Sequence, residues 1–342
     1  MSQQQNNDRL WSRLRAEGAV MGEAPTQGDD LPWYLAGLIG ISAWIATGLL
    51  FGFFHALFDR IWETPAIATT VGALCIAAAL GVLRIARGRD FLEQSAIALS
   101  LVGQLLVGMG LSEWFGDTAA WAGSAALALV LYAVGAQSMH RFLCGGVFAV
   151  AVVAICNELD TNSYGLAPFA LPVLAWLAFA AWWRTQYEDS RTLPLSPLAW
   201  ALSLVALLLA FVADFSFGHD DDSLALQRWI AQIAIAPLLP LAAWQLASGR
   251  RWLPVLCAIA FALIWLRAPG MSLGVMLALI AFASHRPALL ATALIATAVY
   301  LVRYYYQLEV PLLQKSHWLL LGGVALLAIR FVMTRAAHGE RA

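Results

Sequence analysis

Lys315 is the only lysine in the 342 residues, and it stands in a stretch that collects groups able to hold an anion. Arg303, Tyr304-Tyr305-Tyr306 and Glu309 precede it, and Ser316 follows it at the start of an apolar run. An ammonium, a guanidinium, phenols and a hydroxyl can all donate to a phosphate or carboxylate. A helix N-terminus adds its own unpaired N–H groups. Arg303, Tyr305, Glu309, Lys315 and Ser316 are therefore candidate contacts for an anionic headgroup or a partner's carboxylate. The same residues also suit a plainer role, in which a lysine beside a tyrosine belt fixes the depth of a helix at an interface.

Other ionisable and amide groups lie within long apolar runs, where each is costly and so needs a reason. Asp214 and Arg267 close two such runs and could form an intramembrane pair, which more often sets helix register than does chemistry. Gln104, Glu113 and His55 are further candidates for buried polar groups. Gln104 and Glu113 are nine residues apart, about 900° around a helix at 100° per residue, so they face opposite sides and make no joint site. Gln104 suits an interhelical hydrogen bond worth about 1 kcal/mol, and His55 a packed histidine more than a proton relay.

His219-Asp220-Asp221-Asp222 offers carboxylates but lacks the alternating spacing and glycine of a calcium loop, and reads as a solvated acidic loop. The four cysteines, Cys75, Cys144, Cys156 and Cys257, sit in or beside apolar runs without C-x-x-C spacing, and read as buried inert thiols. No G-x-S-x-G, H-E-x-x-H or phosphate-binding glycine loop occurs. The expectation is a protein that is not an enzyme and needs neither metal nor cofactor.

The elements that position these groups follow from composition. Hydrophobic residues make up 61% and charged residues 12%, with mean hydropathy +0.73. A soluble domain is about half apolar and about a quarter charged, so a soluble enzyme, a nucleic-acid binder and a disordered scaffold are excluded. A helix needs about 20 apolar residues to cross a bilayer core of about 30 Å. Twelve runs qualify: 36–58, 65–83, 94–115, 119–137, 141–156, 165–183, 197–217, 228–247, 252–268, 270–284, 287–306 and 316–334. Of these, 141–156 and 270–284 are short for a full crossing. Doubled prolines mark the sixth run (Pro168, Pro172) and the eighth (Pro237, Pro240). Such breaks are found at transporter sites, but no internal repeat accompanies them.

Charge tests the count. With a cytoplasmic N-terminus and every run crossing, 15 of the 20 basic residues fall inside and 11 of the 21 acidic residues outside. Basic loops stay on the cytoplasmic side, so the bias favours an even number of spans with both termini cytoplasmic. Trp33-Tyr34, Trp62, Trp114-Phe115, Trp182-Trp183, Trp229, Trp252 and Trp318 flank the runs as an interfacial belt would. Residues 1–31 do not read as a cleavable signal peptide. Within 1–35, a polar cytoplasmic segment, Leu10, Trp11 and Leu14 oppose Arg9, Arg13 and Arg15. That pattern suits a short helix lying on the inner leaflet, or one packed on cytoplasmic loops. Residues 36–334 form the all-α transmembrane bundle of about 12 spans, and 335–342 a cytoplasmic tail. Glycine patches around Gly103, Gly108 and Gly110 and at Gly145-Gly146 would let helices approach closely.

Three stretches carry a resemblance. They are Leu10-Trp11 … Leu14 … Gly18 with Leu31-Pro32-Trp33-Tyr34 and Ile41-Ser42-Ala43-Trp44; Glu93-Gln94-Ser95-Ala96 with Ser100-Leu101-Val102-Gly103-Gln104; and Tyr304-Tyr305-Tyr306-Gln307-Leu308 … Leu312-Leu313-Gln314-Lys315-Ser316 with Leu321-Gly322-Gly323-Val324-Ala325-Leu326-Leu327. Together they resemble the bacterial polytopic proteins grouped as domain of unknown function 4401. The resemblance implies a multi-pass inner-membrane component without an assigned activity. It also implies the company of a second polytopic protein and of a smaller anchored protein with a Gly-Asp-Tyr motif. The leading expectation is a non-enzymatic subunit of such an operon-encoded assembly; the alternative is a transporter or flippase for a small anionic or lipid-linked substrate.

Overall fold

A computed structural model describes residues 64–85, 90–159, 167–187, 193–213, 225–246, 252–266 and 269–307, with isolated positions in 15–52 and at Ser316 and Leu320. Among the described residues 92% are helical and none is in a strand. The helices are α1 (Pro65–Ile85), α2 (Asp90–Phe115), α3 (Asp117–Val134), α4 (Ser138–Leu159), α5 (Ala170–Thr185), α6 (Ser196–Ala213), α7 (Ala225–Ile235), α8 (Leu238–Leu246), α9 (Trp252–Ile264), α10 (Pro269–Ala283) and α11 (Pro287–Gln307). A 3-10 turn, Ala167–Phe169, leads into α5. Five of these are long and apolar enough to cross a membrane: α1, α2, α3, α4, and α5 with its leading turn. The run expected at 141–156 is in fact a helix of 22 residues, Ser138–Leu159, whereas α10 has only 15. Most of the runs 36–58 and 316–334, most of 1–35 and all of 335–342 lie outside the described residues.

Local chemistry sets the helix ends. Pro65 and Pro287 open α1 and α11, where the missing N–H costs nothing and the fixed φ suits a first turn. Gly116, at φ 81, turns α2 into α3; its N–H closes α2 on the Ser112 carbonyl at 2.8 Å and its own carbonyl opens α3 on Ala120 at 3.0 Å. At the end of α10, His285 takes the left-handed conformation at φ 52. Its N–H donates to the Phe282 carbonyl (3.3 Å) while Arg286 N–H donates to Ala281 (3.0 Å), the paired bonds of a Schellman cap. The eighth run is broken between α7 and α8 at Pro237, which has no N–H to continue the ladder. There the Ala234 carbonyl accepts from the Trp176 indole N–H of α5 at 2.9 Å, so the break is satisfied from inside the protein.

The contacts fix how helices run. Gly72 on α1 packs on Gly103 on α2, while Gly110 packs on Pro65 and Thr69, so α1 and α2 are antiparallel. α10 and α11 are antiparallel too, through Gly270 on Tyr300 and Gly274 on Thr297. α2 and α4 are parallel, with Ser100 by His140 and Gln104 by Cys144. So are α6 and α11, with Ser196 by Arg286 and Phe211 by Arg303. This is the up-and-down alternation read from the apolar runs. The largest core cluster is rich in alanine, with Ala175, Ala178, Ala199, Ala206, Ala242 and Ala293 fully enclosed. Small side chains let backbones close in where no hydrophobic effect drives helices together.

Candidate functional site

One polar assembly lies inside the bundle. Ser100 and Gln104 are one turn apart on α2, and His140 and Cys144 are one turn apart on α4, so each pair shares a helical face. Their relative exposures are 0%, 4%, 1% and 1%. The Ser100 hydroxyl and His140 Nε2 share a hydrogen bond of 3.0 Å, whose donor depends on the tautomer. Gln104 Nε2 donates weakly to the Ser100 carbonyl at 3.5 Å and lies 3.9 Å from Cys144 Sγ. Cys144 Sγ is 3.8 Å from both ring nitrogens of His140. Gln104 Oε1 is buried without a partner, a penalty of about 1–3 kcal/mol.

Serine within hydrogen-bond reach of histidine is the geometry of an activated nucleophile. Here, however, both groups are fully enclosed, and no reacting atom can approach them in this conformation. What the arrangement does is lock α2 to α4 through polar groups that have no water to turn to. No trio of His, Cys, Asp or Glu able to hold a metal occurs among the described residues.

A second assembly closes one end of the bundle. Trp182 on α5, 1% exposed, donates from Nε1 to Ser203 Oγ on α6 at 2.9 Å, and Ser203 donates on to the Ala199 carbonyl at 2.7 Å. The Arg286 guanidinium lies 4.8 Å above the Trp182 ring, and its Nη1 donates to Ser196 Oγ at 2.7 Å. The same end holds Tyr132, whose hydroxyl donates to the Pro194 carbonyl and whose own carbonyl accepts from Arg141 Nε at 3.3 Å. Gln137 Nε2 donates to Glu93 there at 2.5 Å.

Of the residues singled out by sequence, Gln104 is buried between helices as expected. Glu113 is not buried: it is exposed near the C-terminal end of α2, beside exposed Trp114 and Phe115, where a carboxylate reaches the bundle's end. Arg303 is half-buried on α11 with its guanidinium 4.3 Å above the Phe211 ring. Tyr305 lies in the last turn of α11, and Ser316 is helical and exposed. Lys315, Glu309, Asp214, Arg267 and His55, and with them the anion cluster and the Asp214–Arg267 pair, lie outside the described residues. Sequence reasoning passed over Ser100, His140, Ser203 and Arg286, and it read Trp182 as part of the interfacial belt, whereas the ring is 1% exposed inside the bundle. Matched i, i+4 polar pairs on two apolar runs were the available signal for the first two.

The model of the family described as Domain of unknown function (DUF4401) matches residues 32–336. The chain belongs to this family. No curated protein and no solved structure matches it. The DUF4401 region takes in every helix described above, both polar assemblies and the 303–316 stretch, in agreement with the resemblance read from the sequence.

Proposed function

We propose that this DUF4401 protein is a twelve-span bacterial inner-membrane protein with both termini cytoplasmic, acting as a non-enzymatic subunit of a membrane assembly. The alternation of the described helices supports the topology, since it agrees with the alternation that places 15 of 20 basic residues on one side. The observation that carries the non-enzymatic reading is the closure of the Ser100–His140–Gln104–Cys144 cluster, whose polar groups are turned to neighbouring helices. In this reading the 303–316 stretch, with Arg303, Tyr305, Glu309, Lys315 and Ser316, is the contact for the second polytopic protein. The test is affinity purification from the native membrane in mild detergent. A stoichiometric membrane partner is the expected result; a solitary, stable species refutes the subunit reading.

A second reading is a transporter or flippase for a small anionic or lipid-linked substrate. It is favoured by the broken α7–α8 element and by the unpartnered Gln104 Oε1. Saturable stabilisation of the solitary protein by one candidate substrate is its signature.

A further inference from the structure

We propose that the half-buried Arg286 guanidinium, where α6 and α11 begin, binds the phosphate of an anionic lipid headgroup. The inference rests on the membrane reading above, and it concerns the end of α11 opposite Arg303. Arg286 is half-buried, with one face over Trp182 and one N–H committed to Ser196. A guanidinium carries five donors in a planar fork that matches phosphate oxygens, so most of this fork is left for a ligand. No carboxylate among the described residues pairs with it. The described carboxylates of the α2 start are Asp90 and Glu93, and Glu93 already accepts from Gln137.

Two further features favour an anion here. Both α6 and α11 begin at this point, at Ser196 and at Pro287, the residue after Arg286, and two helix N-termini add positive potential. An exposed aromatic pair at this end suits an interfacial depth: Tyr187 lies 5.9 Å from the Trp183 ring. Basic recesses between membrane helices at that depth bind lipid phosphates. Free phosphate offers the same chemistry, but the rings supply apolar surface for a glycerol backbone and acyl chains.

The test uses the full chain in neutral detergent, with thermal unfolding followed during titration with phosphatidylglycerol, phosphatidylcholine or inorganic phosphate. Phosphatidylglycerol is expected to raise Tm saturably, and phosphatidylcholine to leave it unchanged. Arg286→Gln is expected to weaken the apparent affinity about tenfold, the loss of charge-assisted bonds. Arg141→Gln removes an equal charge at the same end but away from the Ser196 and Trp182 contacts, its Nε bonded to the Tyr132 carbonyl, and is expected to leave the affinity unchanged. Should Arg286→Gln fail to fold, Ser196→Ala serves instead, with a smaller loss of affinity expected. An unchanged phosphatidylglycerol response in the variant, or an equal loss in Arg141→Gln, overturns the site. An equal response to inorganic phosphate overturns the lipid source. A chain that stays monodisperse without detergent overturns the membrane reading instead, so the two failures are distinguishable.

Discussion

If the Ser100–His140 bond is a strut between α2 and α4, its strength is measurable as a coupling. His140→Ala removes a buried ring and leaves a cavity beside Ser100, Cys144 and the Gly135 turn, at about 2–5 kcal/mol for a large-to-small change. Ser100→Ala removes little volume but strands one polar nitrogen of His140 at 1% exposure, about 1 kcal/mol. The double variant has nothing left to strand. It should therefore be less destabilised than the two singles added together, by about 0.6–1.7 kcal/mol, the span of hydrogen-bond couplings in membrane helices. Reversible unfolding of the four proteins in mixed micelles supplies the cycle. Additivity within about 0.3 kcal/mol refutes the strut, because residues that do not interact add to that precision. A Ser100→Ala variant more stable than the parent refutes it as well.

The remaining predictions test packing and the bundle's end. A Cβ on Gly103 would lie 2.7 Å from both the Gly72 carbonyl oxygen and Ile76 Cγ1, so Gly103→Ala should cost about 1–3 kcal/mol as an overpacked contact, read in the same unfolding assay. His285→Gly should stabilise by about 0.5–1 kcal/mol, because glycine relieves the left-handed strain of about 1–2 kcal/mol while loosening the unfolded chain. Trp182→Phe deletes the donor to Ser203 and weakens the stacking under Arg286, for a loss of about 1–2 kcal/mol. If Trp182→Phe matches the parent, the Trp182–Ser203–Arg286 assembly contributes nothing to stability.

The sequence made the helices legible because lipid permits so little else: an apolar run of this length satisfies its own backbone only as a helix. The doubled prolines of the eighth run anticipated its break at Pro237, and Pro65 and Pro287 stand at helix starts. The close approaches were half legible. Gly103 and Gly110 sit in tight crossings as their spacing implied, whereas Gly146 faces open space. Glu113 was misread because periodicity gives the angle around a helix and not the depth at which a side chain emerges. His140 was passed over because it stands at the start of its apolar run, where a histidine normally meets water. The turn at Gly135, where a Cβ would lie 2.5 Å from the His140 ring, and the Ser100 and Cys144 contacts enclose that position. Pairings between distant helices, such as Arg286 with Ser196, have no local signature at all.

Those distant pairings divide the labour of holding the bundle. Within the α1–α2 and α10–α11 hairpins the closest approaches are glycine against backbone or side chain: Gly72 on Gly103, Gly270 on Tyr300, Gly274 on Thr297. Between helices not adjacent in sequence the links are polar: Ser100 with His140, Tyr132 with Pro194, Arg286 with Ser196. The α4–α6 seam has a looser glycine approach, since a Cβ on Gly145 would lie 3.0 Å from Ala201 and 3.2 Å from Leu198. Dispersion between close surfaces suffices for a hairpin, whose helices are already tethered and need little to select one another. A hairpin choosing among several lipid-coated neighbours gains no hydrophobic preference for any of them. A hydrogen bond that only one neighbour can complete supplies that preference, because the wrong pairing leaves a polar group stranded. The polar links from α2 to α4 and from α6 to the start of α11 therefore specify which hairpins meet, while glycine sets how closely the α1–α2 and α10–α11 hairpins pack.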